Sequence, residues 1–153
     1  MTLRTRLLID CPEAIAPLTG LLEQEWPDWY NARGASARAE LSERLRRDGL
    51  PLGIVALRDE TVLGTCALTV SSGGLFTERS PWVGGLVVTP EERRRGVARR
   101  LLLRAKKEAR RLGHKRLHAL TDTARGLFEA EGWMLLDTVH LAGKPHAIYM
   151  TPL

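Results

Sequence analysis

The run from Leu86 to Leu102, Leu-Val-Val-Thr-Pro-Glu-Glu-Arg-Arg-Arg-Gly-Val-Ala-Arg-Arg-Leu-Leu, constrains the fold more than any other stretch of this 153-residue chain. It reads as a short apolar strand, a basic turn and a long amphipathic helix. Pro90 has no N–H to give to a sheet ladder, so the strand must stop before it. Gly96, lacking a Cβ, permits either a positive φ or the close approach of a ligand. The first turn of the helix leaves its N–H groups unpaired and carries the positive end of the macrodipole. Open N–H groups, a glycine and the adjacent Arg93, Arg94 and Arg95 together describe a receptor for phosphate oxygens.

Charge is concentrated on this segment. Residues 90–125 hold 13 Lys and Arg against 4 Asp and Glu, while the remainder holds 10 against 14. A nucleic-acid binder could carry such a stripe, and so could an enzyme gripping a polyanionic ligand. The nucleic-acid reading lacks aromatic residues among the charges, since none lies between 83 and 127, and no recognition-helix motif is present. Specific nucleic-acid binding is therefore not expected. No apolar run approaches the ~20 residues that span a bilayer, and Met1 to Asp10 has no apolar stretch of signal-peptide length. Cys11 and Cys66 lack metal-site spacing, so a reduced, cytoplasmic protein without membrane attachment or structural metal is expected.

Leu3 to Ile9 suits a strand, and Pro12 to Glu25 a helix that Pro17 must kink or begin. The cluster Trp26-Pro27-Asp28-Trp29-Tyr30 follows, either a plug over the core or a wall against substrate. Ser36 is the expected N-cap of a second helix that Gly49 stops, with Ala37, Leu41 and Leu45 inward. Pro51 to Arg58 and Thr61 to Val70 form a hairpin around Asp59-Glu60. A flexible loop runs from Ser71 to Ser80, and Pro81 to Val88 is the fourth strand. Gly84-Gly85 within it marks a bulge, a close ligand approach or tight packing. The helix from Gly96 to Leu112 places Val97, Ala98, Leu101, Leu102, Ala105, Ala109 and Leu112 on one stripe. Its off-stripe basic residues, Arg100, Arg104, Lys107, Arg110 and Arg111, are expected to face solvent. Lys115 to Thr121 follows as a strand, parallel to the fourth because a helical crossover separates them. Ala124 to Glu131 is a short helix, with Asp122 its expected cap. Trp133 to Val139 and His146 to Met150 close the chain around a turn at Ala142 to Pro145. The expected architecture is one α/β domain over residues 1–153 with a mixed sheet.

The turn Arg93-x-x-Gly96-x-Ala98 resembles the Arg/Gln-x-x-Gly-x-Gly/Ala signature of the GCN5-related N-acetyltransferases (GNAT). Thr121-x-x-Ala124-x-x-Leu127-Phe128-Glu129-x-x-Gly132-Trp133 is similar to that family's Asn-x-x-Ala-x-x-Leu-Tyr-Glu-x-x-Gly-Phe segment. The resemblance implies the acyl-CoA N-acyltransferase fold, α+β-like. That fold has a mostly antiparallel sheet of six or seven strands, a central parallel pair and about four helices. It implies transfer of an acetyl group from acetyl-coenzyme A to a primary amine, on a small molecule or on a protein N-terminus or lysine. A homodimer is left open.

By that resemblance, main-chain groups of Leu86, Val87 and Val88 would pair with the pantetheine arm, and the N–H of Val88 would point at the acetyl carbonyl. Arg93, Arg94, Arg95, Gly96, Val97, Ala98 and Arg99 would hold the pyrophosphate. Thr121 and Phe128 occupy the cofactor-side positions of the second motif. Family members often have a tyrosine where Phe128 stands, and Phe128 cannot protonate a departing thiolate. A cofactor-binding protein without catalysis is a second reading on that ground. His118 is the candidate base, because histidine titrates near neutrality, unless strand alternation turns it into a core layer. His140, His146, Tyr149 and Glu25 are further candidates. Trp26, Trp29, Tyr30 and Trp82 are the candidate substrate contacts.

Overall fold

The computed structural model describes residues 2–32, 34–72 and 79–153; most of the loop expected from Ser71 to Ser80 lies outside the described residues. The elements are β1 (Leu3–Leu7), α1 (Ile15–Glu25), α2 (Ala37–Glu43), β2 (Leu52–Arg58), β3 (Thr61–Thr69), β4 (Trp82–Val88), α3 (Val97–Arg111), β5 (Arg116–Thr121), α4 (Arg125–Ala130), β6 (Met134–Leu141) and β7 (Lys144–Pro152). Their order is the one expected. The seven strands form one sheet in the order β1-β2-β3-β4-β5-β7-β6. Every neighbouring pair is antiparallel except β4 and β5, which α3 joins as a crossover. No helix among the described residues is long and apolar enough to cross a membrane.

Several boundaries differ from expectation for local reasons. β1 ends at Leu7, because Leu8–Asp10 tightens into a 3₁₀ turn closed by Cys11 N–H on Leu8 O. Pro17 does not begin α1. It is the third residue of that helix, where a missing N–H has no helical acceptor to lose. Ser36 caps α2 as expected, accepting from Ala39 N–H at 3.1 Å. The helix stops at Glu43 rather than near Gly49, because the Arg44 carbonyl is taken by Gly53 N–H at 2.9 Å. Ala142 and Gly143, both at positive φ, complete the β6–β7 turn by themselves, as mirror-type hairpin turns require. Lys144 and Pro145 therefore belong to β7. Asp122 does not cap α4; the neighbouring Thr121 Oγ1 accepts from Ala124 N–H at 2.8 Å.

Side chains alternate into two cores, one on each face of the sheet. α3, Phe128, Trp133 and Tyr149 cover one face over Ile54, Cys66, Leu68 and Val83. α1, α2 and Tyr30 cover the other over Val55, Leu57 and Val87. β2 is buried from Leu52 to Leu57, as a strand covered on both faces must be.

The basic residues of α3 expected in solvent include three that hold the structure together. Arg100 and Arg104 donate to the carbonyls of Leu3 at 3.2 Å and Thr5 at 2.7 Å. They thereby occupy the outer edge of β1, which would otherwise offer unpaired backbone. Arg104 and Arg111 also grip buried Glu108 from either side, at 2.9 and 2.7 Å. Burial alone would raise the Glu108 carboxyl, but its two guanidiniums outweigh that and hold it below the ordinary 4.5.

Gly64 lies on β3 opposite Val88 of β4. A Cβ there would stand 2.6 Å from the Val87 carbonyl and 3.2 Å from Val88 Cα. Both neighbours are backbone and neither can turn aside. Gly64→Ala is expected to destabilise the fold by about 1–3 kcal/mol, read as a lower urea midpoint at unchanged slope.

Candidate active site where two parallel strands part

β4 and β5 pair at only two positions, Trp82↔His118 and Val83↔Ala119. Beyond them β4 stays on β3 while β5 continues along β7 to Thr121↔Ala147. A cleft opens between the diverging strands, and the residues from Gly84 to Val88 have no strand on that side. Thr89 N–H donates to Leu63 O on β3 at 2.8 Å. By the alternation of a strand, the N–H and C=O of Val88 therefore face the cleft. That carbonyl accepts from Arg93 Nε at 3.1 Å.

β4 is bulged where it borders the cleft. The register against β3 jumps from Thr65↔Val87 to Ala67↔Gly84, leaving Gly85 and Leu86 opposite the single residue Cys66. Gly85 is at φ +59°, a left-handed bulge position that glycine adopts at no steric cost. The bulge expected from Gly84-Gly85 is thus present, and it interrupts the one-to-one register at Gly85 and Leu86.

At the wide end of the cleft the chain turns through Arg94 at φ +63° and Gly96 at φ +83° into α3. The first helical bond runs from Arg100 N–H to Gly96 O at 3.1 Å. The N–H groups of Val97, Ala98 and Arg99 have no carbonyl a turn behind them, and two left-handed residues curl the preceding amides into a concavity. Nothing lies within 4 Å of a Cβ built on Gly96, so it serves backbone conformation, not close packing. The arginine side chains are mostly engaged: Arg93 with Glu25 at 3.0 Å, Arg95 with Glu92 at 3.5 Å and Arg99 with Glu131 at 3.2 Å. Arg58 also pairs with Glu92. The cradle is main chain, stiffened by ion pairs.

The other expected site residues fall in three groups. Thr121 ties the end of β5 to α4. Phe128 is buried, edge-on to Trp133 and stacked on Tyr149 at 5.6 Å, while the Tyr149 hydroxyl donates to Glu129 at 2.8 Å. His118 and Trp82 lie at the closed end of the cleft. Trp82 is fully enclosed and donates to Arg79 O at 2.6 Å, so it presents no surface to a substrate. His118 is buried against it at 5.5 Å. Its Nδ1 sits 3.1 Å from Pro81 O, and because a carbonyl only accepts, that nitrogen carries the proton. The core-layer alternative is the one this geometry matches.

Trp29 Nε1 and Tyr30 OH donate to the two oxygens of Glu40, at 3.1 and 2.7 Å, and Trp26 packs on the α1–α2 core. Burial and the Glu40 carboxylate push the Tyr30 phenol well above its ordinary 10.0, so it stays a donor. One turn on from Glu40, Arg44 reaches across to the bulge: a Cβ on Gly85 would stand 3.3 Å from its Nη1 and 3.4 Å from its Nη2. Sequence reasoning missed Glu40 on α2 and Arg44 at its C-cap, whose i,i+4 spacing was the available signal. Among the described residues no cluster of His, Cys, Asp or Glu could hold a metal ion.

Desolvation lowers the His118 imidazole from its ordinary 6.5, the Pro81 carbonyl opposing it only in part. A histidine kept neutral in the fold adds stability above 6.5 that is lost as pH falls toward its lower native value. An NMR titration is expected to give His118 a midpoint below 6.5; one at or above 6.5 contradicts the buried neutral ring.

Residues 18–133 match the profile of the Acetyltransferase (GNAT) family. Solved structures with the same fold include an aminoglycoside 6'-N-acetyltransferase complexed with coenzyme A, at TM-score 0.79 and 16% identity, covering 99% of this chain and 97% of that one. The yncA protein of Salmonella typhimurium, solved with acetyl-CoA, superposes at TM-score 0.79 and 16% identity over 99% of this chain and 94% of its own. N-acetylglutamate synthase from Neisseria gonorrhoeae, complexed with coenzyme A and N-acetyl-glutamate, gives TM-score 0.68 and 22% identity, with all of this chain matching 35% of it. No curated protein sequence matches the chain.

Proposed function

This chain belongs to the acetyltransferase (GNAT) family, and we propose that it moves an acetyl group from acetyl-coenzyme A to a primary amine, by direct attack with donor and acceptor bound together. The observation that carries the reading is the parting of β4 from β5, with an amide cradle at one end and a backbone bulge at the other. The residues present suit a nucleotide thioester. Main-chain N–H groups from Arg94 to Arg99 would take the pyrophosphate oxygens, and Arg94, which has no ion pair among the described residues, would add a charge-assisted contact. The cleft-facing N–H and C=O of Val88 would pair with an amide of the pantetheine arm as an added strand does.

Bound this way, acetyl-coenzyme A supplies the activated acetyl group. Phosphates held at residues 94–99 would put the thioester toward the bulge. The N–H of Leu86, at the bulge, would therefore suit the acetyl carbonyl better than that of Val88. Leu86 would donate to the oxygen as negative charge develops on it. The two ligand sites hold amine and thioester in contact. The amine attacks as the free base and its proton leaves to water, while the coenzyme departs as a thiolate whose modest basicity needs no acid from Phe128. His118, enclosed and hydrogen-bonded to Pro81, would align β5 against β4 without touching the reactants. The relatives above differ in acceptor, an aminoglycoside for one and an amino acid for another, so the fold alone does not choose one.

Adding acetyl-coenzyme A is expected to raise the melting temperature with the logarithm of its concentration. Gly96→Val, which forces a branched side chain into φ +83°, should weaken that binding about tenfold. A melting temperature indifferent to millimolar acetyl-coenzyme A overturns the proposal. Thiol release from an amine panel tests the transfer itself.

A further inference from the structure

Among the described residues, two buried side-chain nitrogens have no hydrogen-bond partner, Trp133 Nε1 and Arg44 Nη1. The second is the more telling, because an unpaired N–H on a cation loses solvation with nothing in return. The Arg44 side chain is 11% exposed and meets its nearest carboxylate, Glu40, at 3.8 Å through Nη2. Glu40 itself is engaged elsewhere, each oxygen already accepting from Trp29 or Tyr30. Arg44 therefore keeps a free Nη1 over Gly85, on the face of β4 that α1 and α2 cover. Glycine at 85 has no side chain of its own, so the Arg44 guanidinium lies directly over the bulge, 3.3 to 3.7 Å from where a Cβ would stand.

We propose that Arg44 is a specificity-determining residue that binds a carboxylate of the acceptor, so that the amine acetylated here belongs to a small α-amino acid. The inference rests on the acetyltransferase reading, in which the acetyl carbonyl lies at this same bulge. An anion held by Arg44 is then separated from the attacking nitrogen by about the breadth of one residue. A carboxylate on the carbon that bears the amine fits that separation. Arginine suits it because two N–H groups can meet two oxygens in one plane. The fixed cation also discriminates by repulsion, disfavouring polyamines and basic side chains that would bring a second positive charge to the bulge. A protein N-terminus presents a neutral carbonyl at the same place and leaves the guanidinium without a counter-charge.

The test compares free α-amino acids with their carboxamides and their decarboxylated amines as acceptors, following thiol release from acetyl-coenzyme A. Wild-type protein is expected to prefer the acid over its amide by at least about tenfold in kcat/KM, mostly through KM. Arg44→Lys should retain part of that preference and Arg44→Gln should lose it. The melting-temperature rise with acetyl-coenzyme A should persist in both variants and shows that they fold. Equal use of acid and amide by the wild type, or a preference for the amide or for polyamines, overturns the inference while leaving acetyl transfer intact. Absence of thiol release with every amine, or of any response to acetyl-coenzyme A, overturns the acetyltransferase reading and this inference with it.

Discussion

Two residue pairs hold β4 to β5, and the rest of the molecule is arranged around the place where that pairing ends. A parallel pair needs a crossover, and the crossover here is α3, whose first turn consequently stands at the mouth of the gap. The bulge at Gly85–Leu86 lets β4 stay on β3 while turning its free edge outward. The second antiparallel set, β5-β7-β6, carries β5 away on the other side. The cleft is therefore a property of the sheet, fixed by strand pairing on both flanks.

The face over which an acceptor would approach is built differently. α1 and α2 lie on it, and the polar groups there form a chain in which Trp29 and Tyr30 fix Glu40, Glu40 lies beside Arg44, and Arg44 overhangs the glycine of the bulge. The opposite face is a large apolar core packed under α3. On the proposed reading, donor binding would fall to backbone and acceptor recognition to side chains. Helices that differ in sequence can then present different acceptors to an unchanged cleft.

Much of this was legible in the sequence. Pro90, Gly96 and the stripe on α3 determine a strand, a turn and a helix with little room for alternatives, and Gly84-Gly85 announced the bulge. Local chemistry also gave the Ser36 cap and the Asp59-Glu60 hairpin. What could not be read was which partner a charged residue finds across the sheet. Arg100 and Arg104 look like solvent-facing positions until β1 is laid beside α3. Arg44 looks like a surface residue of a short helix until the bulge is placed beneath it. His118 had two readings because alternation along β5 says which residues share a face, while the depth of the cleft beneath that face depends on where β4 departs.

The arginines that drew attention to the turn at 93–95 are largely committed to Glu25, Glu92 and the Val88 carbonyl, and the open groups in the cradle are amides. An amide belongs to whichever residue occupies the position, so on the proposed reading the receptor's information would reside in two backbone angles, at Arg94 and Gly96, more than in the identity of the basic side chains. Sequences in this family could then drift widely through the arginines while the turn kept its shape. The glycine would be the letter that spelling errors cannot replace.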